Sequence, residues 1–567
     1  MTMSPGVEYQ GQGKDVEKTI ALSPTQSARD GQVVEPLGTK RGIKSRQAQM
    51  IAIGGSVGTS LFIASGQALA VGGPAFLLVA YIIMSLMVYG IVTAVVEVGT
   101  HLPLSGASMS MHCSRYVSKS LGVALGYLYF YSFGILAAYE ITAGTILINY
   151  WPNNVHVAVW ITIFMVLIIG LNLCPVHIYA ETEFYFAGIK VILIIGLLIL
   201  SLVLMLGGGP SHDRLGFRYW SDPGAVNAYI EPGSRGRLVA FIYVWILSGF
   251  SFYFSPELII VTSGEMKNPR KNLPIASRQF FYRLIFFYVL GAAAIGAICA
   301  SNSSGLVSGA GNANASPWVI AIRNAGIEIL PSIVNAGILS SACSAGNSYL
   351  FMSGRSLYSL AVSGHAPQIF TRCNRWGVPI YAVLTACLFV PLAYMVCNSG
   401  TGVAFNWFIS ITNTAGYTSW IVCCVTFLRF RKACDIQGIA SPYKSRAQPF
   451  AAWICMILFA VLLLLNGFTV FLPGKWSVSG FLTSYIGIPI FLVIWLGHKL
   501  TAGRNDPWMY SPQDVDLTSG LSVVEADVSQ GQADEAMNSA GVGLIKKLKN
   551  RFISVHISDS DEVAYAS

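Results

Sequence analysis

Two stretches interrupt otherwise membrane-length apolar runs with residues able to grip a small solute. They are Gly54-Gly55-Ser56-Val57-Gly58-Thr59-Ser60 and Ser248-Gly249-Phe250-Ser251-Phe252-Tyr253-Phe254-Ser255-Pro256-Glu257. A helix broken at the glycines leaves N–H groups unpaired at the start of its second half, where the helix dipole adds positive character and a carboxylate can be held. Carbonyls freed on the half before it, around Ser56, can accept hydrogen bonds from an ammonium group, so one break offers both poles to a zwitterion. In the second stretch Pro256 donates no backbone hydrogen bond and disfavours helix at Ser255, which lets Phe252, Tyr253 and Phe254 leave the helical path and wall a pocket. The plainer readings are close helix packing for the small residues, which suits Gly54 and Gly55, and core packing for any one aromatic. Two interruptions at corresponding places in two halves favour a transport site.

Ionisable residues inside such runs are costly and point to function. Glu140 lies deep in one run and Glu257 in the second interruption, where either carboxyl group can gain or lose a proton as its surroundings change. Lys190 is the sharpest case: a buried ammonium can release a proton during a transport cycle or stand permanently where a sodium ion would sit. With its span read as starting near residue 183, Lys190 could also snorkel to the inner surface. Glu97, at the end of its run, reads as a structural group beside water or a basic loop. Ser340, Ser344 and Asn347 fall at i, i+4 and i+7 on one helix face, which could serve Lys190 or bond a neighbouring helix.

The elements that position these groups are membrane spans. Of 567 residues, 54% are hydrophobic and only 11% charged, which places the chain in the membrane class. At roughly twenty apolar residues per crossing, about twelve spans are expected: near 48–70, 75–98, 122–148, 155–173, 183–206, 238–262, 282–301, 328–358, 378–397, 402–427, 450–472 and 479–499. The net charge of +9 is spread through short loops and forms no nucleic-acid-binding patch. Lys40, Arg41, Lys44 and Arg46 precede the first span, and basic residues recur after spans 2, 6, 8 and 10, while the loops at 71–74, 149–154 and 398–401 lack Lys and Arg. By the positive-inside rule both termini are cytoplasmic. The loop at 207–237, with Arg214, Arg218, Arg235 and Arg237, departs from the rule, which long loops obey less strictly.

Three domains follow: a cytoplasmic disordered tail at 1–45, a transporter unit at 46–500, and a cytoplasmic tail at 501–567. Residues 505–540 read as disordered from their polar composition. Segment 543–553 alternates basic and apolar residues at helical spacing and suits a helix on anionic membrane lipids, either as a site for regulatory partners or as a plain solvated tail. Sequons at Asn302 and Asn314 fall on the expected outer side. The eleven cysteines form no C-x-x-C pair and no metal-ligand set, and no cofactor is expected.

The motifs also carry a family likeness. Met50-Ile51-Ala52-Ile53-Gly54-Gly55-Ser56-Val57-Gly58-Thr59-Ser60-Leu61-Phe62 resembles the opening of fungal amino-acid permeases of the amino acid–polyamine–organocation superfamily. Gly264-Glu265-Met266-Lys267-Asn268-Pro269-Arg270-Lys271, Ser344-Ala345-Gly346-Asn347-Ser348, Gly377-Val378-Pro379, Phe405-Asn406-Trp407 and Leu428-Arg429-Phe430-Arg431-Lys432-Ala433 follow in the same order. The resemblance implies an all-α integral membrane protein of the leucine-transporter type, with five-span inverted repeats at about 46–207 and 235–430 and peripheral spans at 450–499. It also implies uptake of amino acids with protons across the plasma membrane by alternating access. By position, the carboxylate-binding turn falls on Gly58, Thr59 and Ser60, the amino-group carbonyls fall near Ser56, Ser251 and Phe254, and the lysine that replaces sodium falls on Lys190. The family usually has Gly where Ser60 stands and Gly-Thr where Ser255-Pro256 stands, which leaves substrate size open. An amino-acid sensor of the same fold is the first rival. An enzyme is the second, with His101 and His112 as its nearest candidates, although they lack a metal pattern or a nucleophile partner.

Overall fold

A computed structural model describes residues 58–103, 108–263, 269–307, 316–399, 401–522 and 524–525. Gly54, Gly55, Ser56 and Val57, the motif at 264–268, the second sequon's Asn314 and the basic segment at 543–553 lie outside them. The described residues are helical and turn structure throughout, with no strand among them.

Twelve spans follow one another. The longest run, Ser60–His101, is two of them, because Gly73 takes a φ of +77° and Pro74 follows it. At Gly73 a side chain is excluded: a Cβ there would sit 2.8 Å from the carbonyl oxygen of Ala225. That carbonyl accepts from the Ala75 amide at 2.9 Å, and Asn227 Nδ2 donates to the Ala70 carbonyl at 3.0 Å, so the outer loop clasps the turn between spans 1 and 2. Span 1 is therefore 60–72 and span 2 is 74–101. Span 3 is Lys119–Ile148, span 4 Val157–Leu173 and span 5 Val176–Met205. Span 6 comes in two pieces, Gly233–Phe250 and Ser255–Ser263. Span 7 is 269–298, span 8 Leu330–Val362, span 9 380–399 and span 10 Thr401–Gln437. Spans 11 and 12 occupy 450–471 and 478–500.

Six helical runs are long and apolar enough to cross a membrane on length and composition alone. The rest are shortened by breaks or carry a polar face, as span 8 does. Spans 3 and 8 pack most extensively against each other and form the centre, around which the others are arranged. Side chains such as Val166, Ile192, Leu388, Leu464 and Val493 turn outward to hydrocarbon.

Two expectations are corrected. Span 5 starts at Val176, seven residues earlier than expected, because Pro175 sets its start and Glu181 and Glu183 continue the helix. Lys190 is therefore at mid-helix and 0% exposed, which excludes snorkelling. The chain after 500 is also more ordered than its polar composition suggests, since residues 506–519 lie as a strap across the C-terminal ends of spans 2 and 10 and the helix Met109–Tyr116. Tyr510 N donates to the Val117 carbonyl at 2.9 Å, and Arg115 pairs with Asp516 at 2.9 Å. His101 Nε2 meets the Leu517 carbonyl at 2.9 Å, Gln437 donates to the Pro512 and Val515 carbonyls at 2.9 and 2.8 Å, and Arg429 bonds the Tyr510 carbonyl. Val515 and Leu517 are buried with Tyr116 and Phe430. Four side chains from three elements thus hold a segment that has no regular structure of its own.

Removing the ion pair should loosen that strap. Arg115→Ala should speed limited proteolysis between residues 505 and 520 by about ten-fold, the factor for loss of ~1.4 kcal/mol of contact; unchanged cleavage would mean the strap is held otherwise.

Candidate functional site

Span 6 is broken where its sequence changes character. The amides of Ser251, Phe252 and Ser255 bond to carbonyls three residues back, at 3.2, 3.0 and 3.3 Å, so the i→i−4 ladder lapses over 251–254. Phe254 takes a φ of +56°, a conformation that bulky residues avoid and that persists only where packing enforces it. Its ring lies 4.6 Å from Phe133 and 5.9 Å from Tyr129 by centroids, and it is fully buried. Phe252 packs on Tyr288 at 4.4 Å and on Tyr81 at 5.9 Å. Tyr253 turns the other way, into Trp420 and Tyr417 at 5.0 and 5.5 Å, and fills the space over Gly416, where a Cβ would come within 2.1 Å of its ring. It is core. Ser251 Oγ shares a 2.9 Å hydrogen bond with the Tyr81 hydroxyl.

Opposite this break stands the start of the described part of span 1. Gly58 is non-helical, and the chain enters a π-helical turn over Ser60–Ala64 before continuing as α-helix. Thr59 Oγ1 donates to Glu140 Oε2 at 2.9 Å, with both residues buried. A Cβ on Gly58 would lie 3.0 Å from Glu140 Oε1 and 3.9 Å from the Tyr349 hydroxyl. A side chain at Gly58 would therefore crowd the Glu140 carboxyl group, which would have to shift to admit it. Ser60 is 7% exposed and next in line along the helix. Tyr349 stacks on Phe133, and Tyr139 packs between Phe250 and Phe405 at 4.9 and 4.8 Å. The beginning of span 1 and the break of span 6 are thus linked through aromatics of spans 8 and 3: Tyr349, beside Gly58, stacks on Phe133, which packs on Phe254.

Behind Glu140 the charges continue. Lys190, fully buried on span 5, is attracted first by Glu183 and then by Glu140. Ser344 Oγ donates to Glu183 Oε1 at 2.7 Å, and Asn172 Nδ2 on span 4 donates to Asn347 Oδ1 at 2.9 Å. Ser344 thus bonds span 5 and Asn347 bonds span 4, whereas Ser340 Oγ turns back to its own Gly337 carbonyl at 2.8 Å. Glu257 stands in a separate network: it sits in the first turn of the second half of span 6 and accepts from Ser419 Oγ at 2.6 Å, which also shares a 3.0 Å hydrogen bond with the Tyr129 hydroxyl. A carboxylate there complements the positive end of the short helix. Glu97 is held by Arg431 at 3.7 Å and by the Ser445 amide at 3.2 Å, the structural role its position suggests.

Sequence reasoning missed Glu183 and the aromatic partners Tyr81, Tyr139, Tyr288 and Tyr349. Glu183 lies seven residues before Lys190, on the same helix face, and that period was the available signal. The aromatics carry none, since each sits in an apolar run like any core residue. His112 is stacked on Tyr116 at 5.7 Å, and neither of its ring nitrogens has a hydrogen-bond partner. Burial first, then Arg115 and His101, pushes its imidazole down to about 3. It is neutral at any physiological pH and equipped for no acid–base step. All eleven cysteines are unpaired, and among the described residues no metal-binding cluster occurs.

The family model described as amino acid permease matches residues 47–509. The chain is 44% identical to a proline-specific permease of Emericella nidulans over 502 residues, covering 88% of this chain and 91% of that one. It is 46% identical to a probable proline-specific permease of Schizosaccharomyces pombe, covering 83% and 86%, and 39% identical to a dicarboxylic amino acid permease of Saccharomyces cerevisiae, covering 91% and 87%. Among solved structures, the manganese transporter of Eremococcus coleocola superposes with a TM-score of 0.53 at 16% identity, covering 85% of this chain and 98% of that one. That likeness concerns the fold, the inverted-repeat architecture with two peripheral spans.

The crowding at Gly58 should be measurable. Gly58→Val pushes a branched side chain at the Glu140 carboxylate and should abolish amino-acid uptake in permease-deficient yeast with the protein still at its usual membrane level; uptake near wild type would show that this approach is unimportant. His112→Asn, in contrast, should leave the pH profile of uptake unchanged, and a shifted profile would place titration at the inner helix instead.

Proposed function

Because this chain belongs to the amino acid permease family, we propose that it imports amino acids, proline foremost, together with protons by alternating access at the plasma membrane, with both termini cytoplasmic. Its named relatives are permeases and its structural neighbours are transporters, so the chain is a transporter and not an enzyme. Nothing in those names favours a sensor.

The observation that carries the proposal is the meeting of the Gly58–Thr59–Ser60 turn with Glu140 on one side of the aromatic cluster and the unwound Ser251–Phe254 segment on the other. The substrate carboxylate is assigned to the amides of Gly58, Thr59 and Ser60, where the dipole of span 1 is positive. Its amino group is assigned to carbonyls near Ser56 and in the span 6 break around Ser251 and Phe254, with Phe252 and Phe254 as the walls. Three of the relatives with 43–46% identity are proline-specific by name. An apolar ring fits such aromatic walls, and a secondary ammonium has only two N–H donors for the carbonyls to satisfy.

Coupling is assigned to Glu140 and Lys190. Thr59 ties the Glu140 carboxyl group to the carboxylate-binding turn, and Glu140 lies in the field of Lys190, so a proton on this pair changes the electrostatics of the substrate turn directly. Glu257 is assigned to holding the inner half of span 6 through Ser419, which makes it a positioning residue in the coupling scheme. Ser344 is assigned to supporting span 5 and Asn347 span 4, while Ser340 serves its own helix.

Uptake of labelled proline should be competed by small neutral and cyclic amino acids and weakly by lysine or glutamate; strong competition by either charged amino acid would overturn the substrate assignment. Lys190→Met should abolish accumulation with the protein still at the surface, and wild-type accumulation, or accumulation that survives a protonophore, would remove the coupling claim.

A further inference from the structure

We infer that Glu183 is the relay that takes the coupling proton from Lys190 and delivers it to a small cavity at the inner end of spans 4 and 5, an inference that rests on the proton-coupled reading above.

Glu183 is fully buried, two turns inward of Lys190 on the same stripe of span 5 as Tyr179 and Ala187. Seven residues at about 1.5 Å each put the two backbones about 10 Å apart along the axis. Side chains on a helix lean toward its N-terminus. The N-terminus of span 5 is the inner end, so Lys190 leans toward Glu183 and away from the outer half. Among the described residues, the carboxyl groups that act on the charge of Lys190 are those of Glu183 and Glu140. Lys190 thus lies between a carboxyl group tied to the substrate turn and a carboxyl group facing inward.

The other neighbours of Glu183 are neutral and polar. Ser344 of span 8 occupies Oε1 at 2.7 Å, whereas Oε2 has no partner at hydrogen-bond distance, with Ser348 and Asn347 beside it at longer range. Asn347 Nδ2 and Asn172 Oδ1 are likewise buried without partners. Buried polar atoms of this kind are normally satisfied by water, and these three lead one way. Asn172, bonded to Asn347, lines a cavity with Tyr179, Cys174, Phe351 and Arg355, at the inner ends of spans 4, 5 and 8. Tyr179 connects the two routes by donating to Ser348 Oγ at 3.4 Å.

The transfer balances. Lys190 Nζ gives one proton to Glu183 Oε2, leaving a neutral amine and a neutral acid. Glu183 gives that proton to cavity water and returns to the carboxylate, and Glu140 passes the proton that arrived with substrate to the amine.

The test uses the full chain in proteoliposomes and two assays: accumulation of labelled proline driven by an inward proton gradient, and counterflow exchange of labelled for unlabelled proline, which needs no net proton release. Wild type is measured first, and accumulation indifferent to the gradient would overturn the coupling reading itself. With wild type proton-driven, Glu183→Gln, which keeps the shape and can still accept from Ser344, should lower accumulation about 100-fold while exchange stays within about two-fold, and Glu183→Asp should restore part of the accumulation. Accumulation by Glu183→Gln equal to wild type would overturn the relay. Equal loss of exchange and accumulation in both variants, with wild-type levels of folded protein, would overturn it as well by making Glu183 a structural brace.

Discussion

Hydrocarbon offers no hydrogen bonds, so a membrane-embedded backbone can leave its helix only where other groups receive what it frees. That constraint governs the centre of this molecule. The unwound Ser251–Phe254 segment is tolerated because it is enclosed by protein: Tyr81 takes the Ser251 hydroxyl, and Phe133, Tyr129, Phe252 and Tyr288 pack the cluster around it. The positive φ of Phe254 costs of order 1–3 kcal/mol, and such strain is retained where the surrounding structure over-determines it. Gly58 has a matching place on span 1, where the absence of a Cβ leaves room for the Glu140 carboxyl group that accepts from Thr59.

From that point one polar line runs through the molecule, from Thr59 to Glu140, Lys190, Glu183 and the Ser344–Asn347 face. Each member is buried, and each helps meet the cost of burying the next. Removing one charge from such a line leaves another uncompensated, a larger penalty than the loss of a surface pair. The same coupling makes the line useful: protonation at one end is felt by the turn assigned to the substrate. The network of Glu257, Ser419 and Tyr129 stands apart from it and fixes the second half of span 6 against span 10.

Much of this was legible in the sequence. The hydropathy pattern locates the spans, although spans 5 and 7 start seven and thirteen residues earlier than expected and span 10 ends ten residues later, and the family resemblance supplies the fold that the structural likeness supports. Span 5 illustrates what composition hides: Glu181 and Glu183 look like loop charges, yet they extend the helix inward and carry Lys190 to its middle. The strap at 506–519 was illegible for another reason, because its binding depends on carbonyl groups, which every residue has, meeting Arg115, Arg429 and Gln437 on distant elements. Ser340 shows the limit of periodicity in the other sense, since a residue in register with Ser344 can still bond its own backbone.

The central claim is that the turn at Gly58–Ser60 and the break at Ser251–Phe254 together hold a zwitterion. It is tested most directly by an experimental density map of the protein with proline bound. The expected result is ligand density between the two segments, with its carboxylate at the amides of Thr59 and Ser60 and its nitrogen toward the carbonyls of the span 6 break. Density for the ligand elsewhere, with both segments drawn as continuous helices, would contradict it.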